Sequence, residues 1–133
     1  MTRRLFAAVA VTLLASVAVS AHHAAAGIDR TRTVELKGTV KAFSWQNPHS
    51  WMEVEVASEG KVVTWTIEMT APSYLVRAGW KATTVKPGDE VSVTVRPLKN
   101  GDPGGLFVSV TLADGRTLTE RPVLAQPASP PAQ

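Results

Sequence analysis

The chain carries three histidines and no cysteine, so any metal chemistry must run through imidazole, amine and carboxylate groups. His22 and His23 are adjacent and directly follow a run of small and apolar residues ending at Ala21. A cut after Ala21 leaves His22 beside a free α-amine, so amine and imidazole nitrogens bind one ion. A cut after Ser20 leaves Ala21-His22-His23, with a histidine third from the amine. Either array of nitrogen donors suits square-planar Cu(II) or Ni(II); no cofactor is assigned, and copper is the candidate. The other reading leaves both histidines in an unstructured leader. His49 follows Asn47-Pro48 at the start of a strand and faces the same way as Trp51 and Glu53. If the amino terminus docks beside it, His22, His23 and His49 form the metal set. Otherwise His49 is a surface residue held by a hydrogen bond. Glu68, on the outer face of the next strand, is a carboxylate ligand or an acid/base group, or else an ordinary solvated glutamate or a partner for Arg77. Trp45 and Trp51 flank the corner and line a shallow pocket. The candidate ligand-binding set is therefore Trp45, Asn47, His49, Trp51 and Glu68. It serves either a copper-binding module or a metal-free envelope protein that contacts a partner protein, a glycan or a small ligand.

Other chemistry finds no footing. Without cysteine there is no thiolate nucleophile, no disulfide framework and no zinc-thiolate centre. The chain has no Gly-x-Ser-x-Gly elbow and no phosphate-binding loop. Opposed carboxylates for glycoside chemistry cannot be assembled from alternation alone. No residue is assigned a catalytic role, and the chain reads as a binding protein.

The ends of the chain place it in the cell. Arg3 and Arg4 precede an apolar stretch, Leu5 to Ala15, that runs into small residues. That order of basic, apolar and small segments is a secretory signal peptide over 1–21. A membrane span needs about 20 apolar residues, and Ser16, Ser20 and the histidines interrupt this one, so no permanent anchor is expected. Thr2-Arg3-Arg4-Leu5-Phe6 also resembles the start of a twin-arginine signal. The mature protein is expected in the periplasm or secreted. Losing Arg3 and Arg4 lowers the 14 basic side chains by two, to 12, against 11 acidic ones. A near-neutral domain lacks the basic stripe that displaces counterions from nucleic acid, which is excluded as a partner. Residues 22–29 are a leader, 30–119 the folded domain, and 120–133, rich in Pro, Ala and Gln, a disordered tail.

Period-two alternation organises the folded part. Val34, Leu36, Val40 and Ala42 share one face of a first strand, interrupted by Gly38 where a barrel strand bends. Met52, Val54 and Val56 point inward from a second strand, and Val63, Trp65, Ile67 and Met69 from a third. The period then becomes helical near 72–78, with Thr70 as the cap, Pro72 in the first turn and Gly79 as the stop. Trp80 folds back over the core. Two further strands point Val91, Val93 and Val95, then Leu106, Val108, Val110 and Leu112, inward. Three strands, a helix and two strands is the order of an OB-fold-like five-stranded barrel, all-β with one short helix.

Several of these pieces together resemble a family of small exported bacterial proteins of unknown function. They are His22-His23 at the signal boundary, Leu36-Lys37-Gly38, Asn47-Pro48-His49 with Trp51, Trp65, Glu68, Gly79-Trp80, Pro87-Gly88-Asp89, Gly104-Gly105 and Asp114-Gly115. The resemblance runs from about residue 22 to 116. Ala24-Ala25 stands where the family has Ser-Phe after the histidines. The resemblance implies export and a compact β fold, and brings no activity with it. Mass spectrometry of protein isolated from the bacterial envelope should find an amino terminus at Ala21 or His22. Uncleaved chain in the cytoplasm would contradict the signal reading.

Overall fold

The structure is a computed structural model and describes residues 27–121. The segment 1–21 expected as a signal peptide, His22, His23 and residues 122–133 of the expected tail lie outside the described residues. Six strands and one short helix follow in chain order: β1 (Val34–Ser44), β2 (Trp51–Ser58), β3 (Lys61–Glu68), α1 (Pro72–Arg77), β4 (Glu90–Pro97), β5 (Gly104–Leu112) and β6 (Thr117–Thr119). The hydrogen-bonded order is β3-β2-β1-β4-β5-β6. All of these neighbours are antiparallel, and a parallel pairing of β3 with β5 closes β1 to β5 into a barrel. This is the expected all-β, five-stranded barrel with its helix between the third and fourth strands. β6 is an addition beyond the Asp114-Gly115 turn, laid along the outer edge of β5.

Local chemistry explains the connections. Glu59 and Gly60 both have positive φ, 50° and 76°, which gives the β2–β3 hairpin a two-residue turn whose twist matches that of the strands. Pro72 supplies the first turn of α1, and Gly79, at φ 91°, ends the excursion. The cap differs from expectation. Ala71 occupies the N-cap with no side-chain hydrogen bond, because the helix begins at Pro72 and its cap therefore falls one residue past Thr70.

The core is filled mostly by Val and Ile from the strands, with Leu36, Met52 and Phe107, and is joined by Leu75, Val85 and Trp80 from the segment between β3 and β4. Trp80 is 1% exposed and does fold back over the core. Its ring meets Phe107 edge-on at 5.5 Å and lies 5.9 Å from Phe43. Its indole N–H donates to the Thr119 carbonyl at 2.8 Å, pinning β6 to the barrel.

Two irregularities correct the expected inward faces. The β1–β2 register shifts between Val40 and Ala42, so Phe43, opposite Met52, packs on the core where Ala42 was expected. The β4–β5 register shifts between Thr94 and Val95, which pair with Ser109 and Phe107 and leave Val108 without a partner. An inserted residue reverses which side chains point inward, so Phe107 and Val110 are buried and Leu106 and Val108 turn out. Alternation alone carries no mark of such a bulge.

Barrel closure brings backbones unusually close. A Cβ at Gly38 would collide with the Glu55 carbonyl of β2, and one at Gly105 with the Arg96 carbonyl of β4. Gly38→Ala and Gly105→Ala should each cost about 3 kcal/mol or more in urea unfolding, since backbone cannot yield as a side chain does. Wild-type midpoints for either variant would contradict this packing.

Candidate functional site

The corner between β1 and β2 contains a cis Asn47-Pro48 peptide, followed by His49. It is fastened to the end of β3 through Ser50. The Ser50 N–H donates to the Thr70 carbonyl at 3.2 Å, and the Met69 N–H donates to the Ser50 carbonyl at 2.9 Å. Ser50 is fully buried, and its hydroxyl has no hydrogen-bond partner among the described residues. These backbone bonds carry His49 to Glu68, where its Nδ1 bonds Oε1 of the carboxylate. A carboxylate only accepts, so Nδ1 carries the proton and Nε2 is the imidazole nitrogen left for another partner. Side-chain exposure of 13% for Glu68 against 51% for His49 shows which group is sheltered and which is presented.

Strand register sets the neighbours of this pair. Trp51 on β2 stands opposite Glu68 on β3, Glu68 opposite Leu106 on β5, and Leu106 opposite Arg96 on β4. These residues form one row around the outside of the barrel. The end of β6 runs beside the row and adds Glu120, whose Oε1 accepts the Thr70 N–H at 2.7 Å. A groove of about 270 Å³ lies between them. His49, Glu68 and Glu120 line it together with Arg30, Arg96 and Arg121, over Met69, Leu106 and Phe107. A second groove of about 310 Å³ shares Arg96, Phe107, Glu120 and Arg121, so the two adjoin across the Glu120-Arg121 segment. A larger concavity, about 460 Å³, lies elsewhere, beside Lys37, Glu90 and Ser92, and is lined by no histidine or arginine. Polar side chains converge at the smaller groove, which is the better candidate on chemistry.

Glu120 is half-buried where it lines the groove. Burial pushes its carboxyl above the ordinary range. The Thr70 N–H and the charges of Arg121 and His49 work against that rise, and the Glu68 charge adds to it.

Of the residues singled out in the sequence, the structure brings His49 and Glu68 together and sets Trp51 beside Glu68 in the row. Glu68 pairs with His49, and Arg77 lies 5.9 Å over the Tyr74 ring. Trp45 packs edge-on against Phe43, ring centroids 5.9 Å apart, at the margin of the core, while Asn47 is exposed at the turn. Neither they nor Trp51 lines the groove. Among the described residues no three histidine, aspartate or glutamate side chains group to hold a metal ion. His22 and His23 lie outside those residues. The expected domain limits at 30 and 119 omit two contributors: Ile28, which is buried and bridges to Leu98, and Glu120. Arg30, Arg96, Arg121 and Glu120 were not singled out as site residues. Arg96 has a signal in its outward phase on β4, but the composition of 120–133 reads as a tail and hides Glu120.

Residues 10–108 match a family described as a family of unknown function, DUF6152. No curated protein and no solved structure matches the chain. No helix among the described residues is long and apolar enough to cross a membrane.

The Glu120 contact can be tested through stability. A raised carboxyl in the folded state gives stability that is present below the unfolded value, about 4.3, and lost as pH rises through the folded value. Glu120→Gln keeps an acceptor for Thr70 without the charge. It should therefore equal or exceed wild type at neutral pH, with the difference closing in acid. Glu120→Ala should cost about 1 kcal/mol at all pH values by leaving the Thr70 N–H unpaired. Urea titrations at pH 3.5 and 7, giving a Gln variant weaker than wild type only at pH 7, would refute the burial argument.

Proposed function

The chain belongs to the DUF6152 family, and from its groove we propose that it is an exported binding module of the cell envelope that takes a small polar ligand at the His49–Glu68 pair. The observation that carries this reading is the convergence of His49, Glu68, Arg96 and Glu120, from separate elements, on one concavity. Small-molecule sites combine an apolar lining with a few placed polar groups, and Leu106, the outward-facing member of the row, supplies the apolar surface here. Export is supported by the Arg3-Arg4 segment and the apolar run behind it.

The metal-free form of this reading is favoured by charge, because three arginines line the groove and repel a cation. One feature supports copper as a second reading. A histidine whose Nδ1 is held by a carboxylate and whose Nε2 is open has the orientation that second-sphere carboxylates give to metal ligands. In that reading His22 and His23 bring the remaining nitrogens.

Amide-resolved NMR on the processed chain tests both readings against a library of small polar fragments and against Cu(II). Fragment-induced shifts should centre on His49, Glu68, Thr70 and Leu106, and His49→Ala should weaken them about tenfold, roughly 1.4 kcal/mol. Shifts confined to the Lys37–Ser92 concavity would overturn the site. Copper affinity that falls with His49→Ala would establish the second reading. Copper affinity indifferent to His49 would confine the metal to the amino terminus.

A further inference from the structure

The geometry points to a ligand class for this groove: a small molecule bound through an oxyanion, carboxylate or phosphate, held by the guanidinium groups of Arg96, Arg121 and Arg30. The inference rests on the groove being the binding site. Its ground is the pairing of charges around the barrel. Arg32 is paired with Asp29 at 3.0 Å and Arg116 with Asp114 at 2.7 Å, while Arg77 rests on Tyr74. Arg30, Arg96 and Arg121 have no ion pair among the described residues, and all three line the same groove.

The carboxylates within reach are already engaged. Glu68 is bonded to His49, and Glu120 is tied to the Thr70 N–H. Their hydrogen bonds hold them in place without cancelling their charge, yet three guanidinium groups face two carboxylates, so positive charge is in excess, and it stands beside Leu106. Arg96 projects from the row beside Leu106 and lines both adjoining grooves, as does Arg121. A guanidinium offers paired N–H donors that match the two oxygens of a carboxylate or phosphate. The neighbouring Leu106, turned out of the core by the β5 bulge, lowers the local dielectric and offers a surface for an apolar body attached to that head. Grooves of about 270 and 310 Å³ fit a small molecule and not a folded partner.

Benzoate, its neutral counterpart benzamide and inorganic phosphate serve as probes, titrated into the processed chain and followed by amide NMR at low salt. Benzoate should shift Thr70, Arg96 and Leu106 saturably and bind at least about tenfold more tightly than benzamide, with phosphate reporting the head group alone. Arg96→Gln and Arg121→Gln should each weaken benzoate about tenfold, and Arg116→Gln, outside the groove, should leave it unchanged. Glu120→Gln should tighten it by about threefold, the effect of removing one screened like charge several ångströms away. Benzamide binding as well as benzoate, or benzoate binding indifferent to Arg96 and Arg121, would overturn the oxyanion assignment while leaving the groove as a ligand site. Neutral and anionic probes that all shift residues elsewhere would overturn the site itself.

Discussion

Closure of the barrel between β3 and β5 is the constraint on which the rest of this structure depends. Thr66, Ile67 and Glu68 pair in parallel with Gly104, Gly105 and Leu106, and the latter two pair on their other side with Pro97 and Arg96 of β4. Three backbones therefore meet over a few residues, at a separation that a side chain on residue 105 would not allow. Parallel pairing between strands far apart in the chain needs a long connection. Here that connection includes α1, Trp80, Val85 and the whole of β4. Closure also sets Glu68 beside Leu106, and through it Arg96, so the same hydrogen bonds that seal the core assemble one wall of the groove.

The two bulges divide side chains between core and surface. In β5 the extra residue lets Phe107 enter the core against Trp80 and turns Leu106 out into the row with Glu68. In β1 it brings Phe43 onto Trp80 and seats Trp45 against Phe43. Trp80 is thus where the bulges, the helix and the last strand are reconciled, since its rings touch both phenylalanines and its N–H holds Thr119. Holding Thr119 brings Glu120 to Thr70, and Thr70 is bonded through its carbonyl to the His49 corner. Core packing and site geometry share a short chain of contacts.

Electrostatically the groove is asymmetric. Its histidine and its sheltered glutamate satisfy each other, its second glutamate is partly buried, and its arginines have no such partners among the described residues. Paired groups at the ends of strands mainly hold shape. Unpaired guanidiniums beside apolar surface are where binding energy remains to be gained, which is why the charge pattern says more about the ligand than the histidine does.

Period-two alternation by itself determined the strands, because half-buried strands must alternate, and the switch to helical spacing after Met69 placed α1 within a residue of its observed limits. The order of those elements was enough for the barrel. Alternation also put His49, Trp51 and Glu68 on the outer face, which the register bears out. Only the tertiary structure decided that Glu68 meets His49 and not Arg77, that Trp45 belongs to the core margin, and that Glu120 belongs to the site. The first depends on a corner fastened by backbone hydrogen bonds, and backbone bonds leave no trace in residue type. The second depends on a bulge, which shifts phase without changing composition. The third depends on β6, a strand of three residues, too short to show a period, held by an indole N–H from a tryptophan nearly forty positions away.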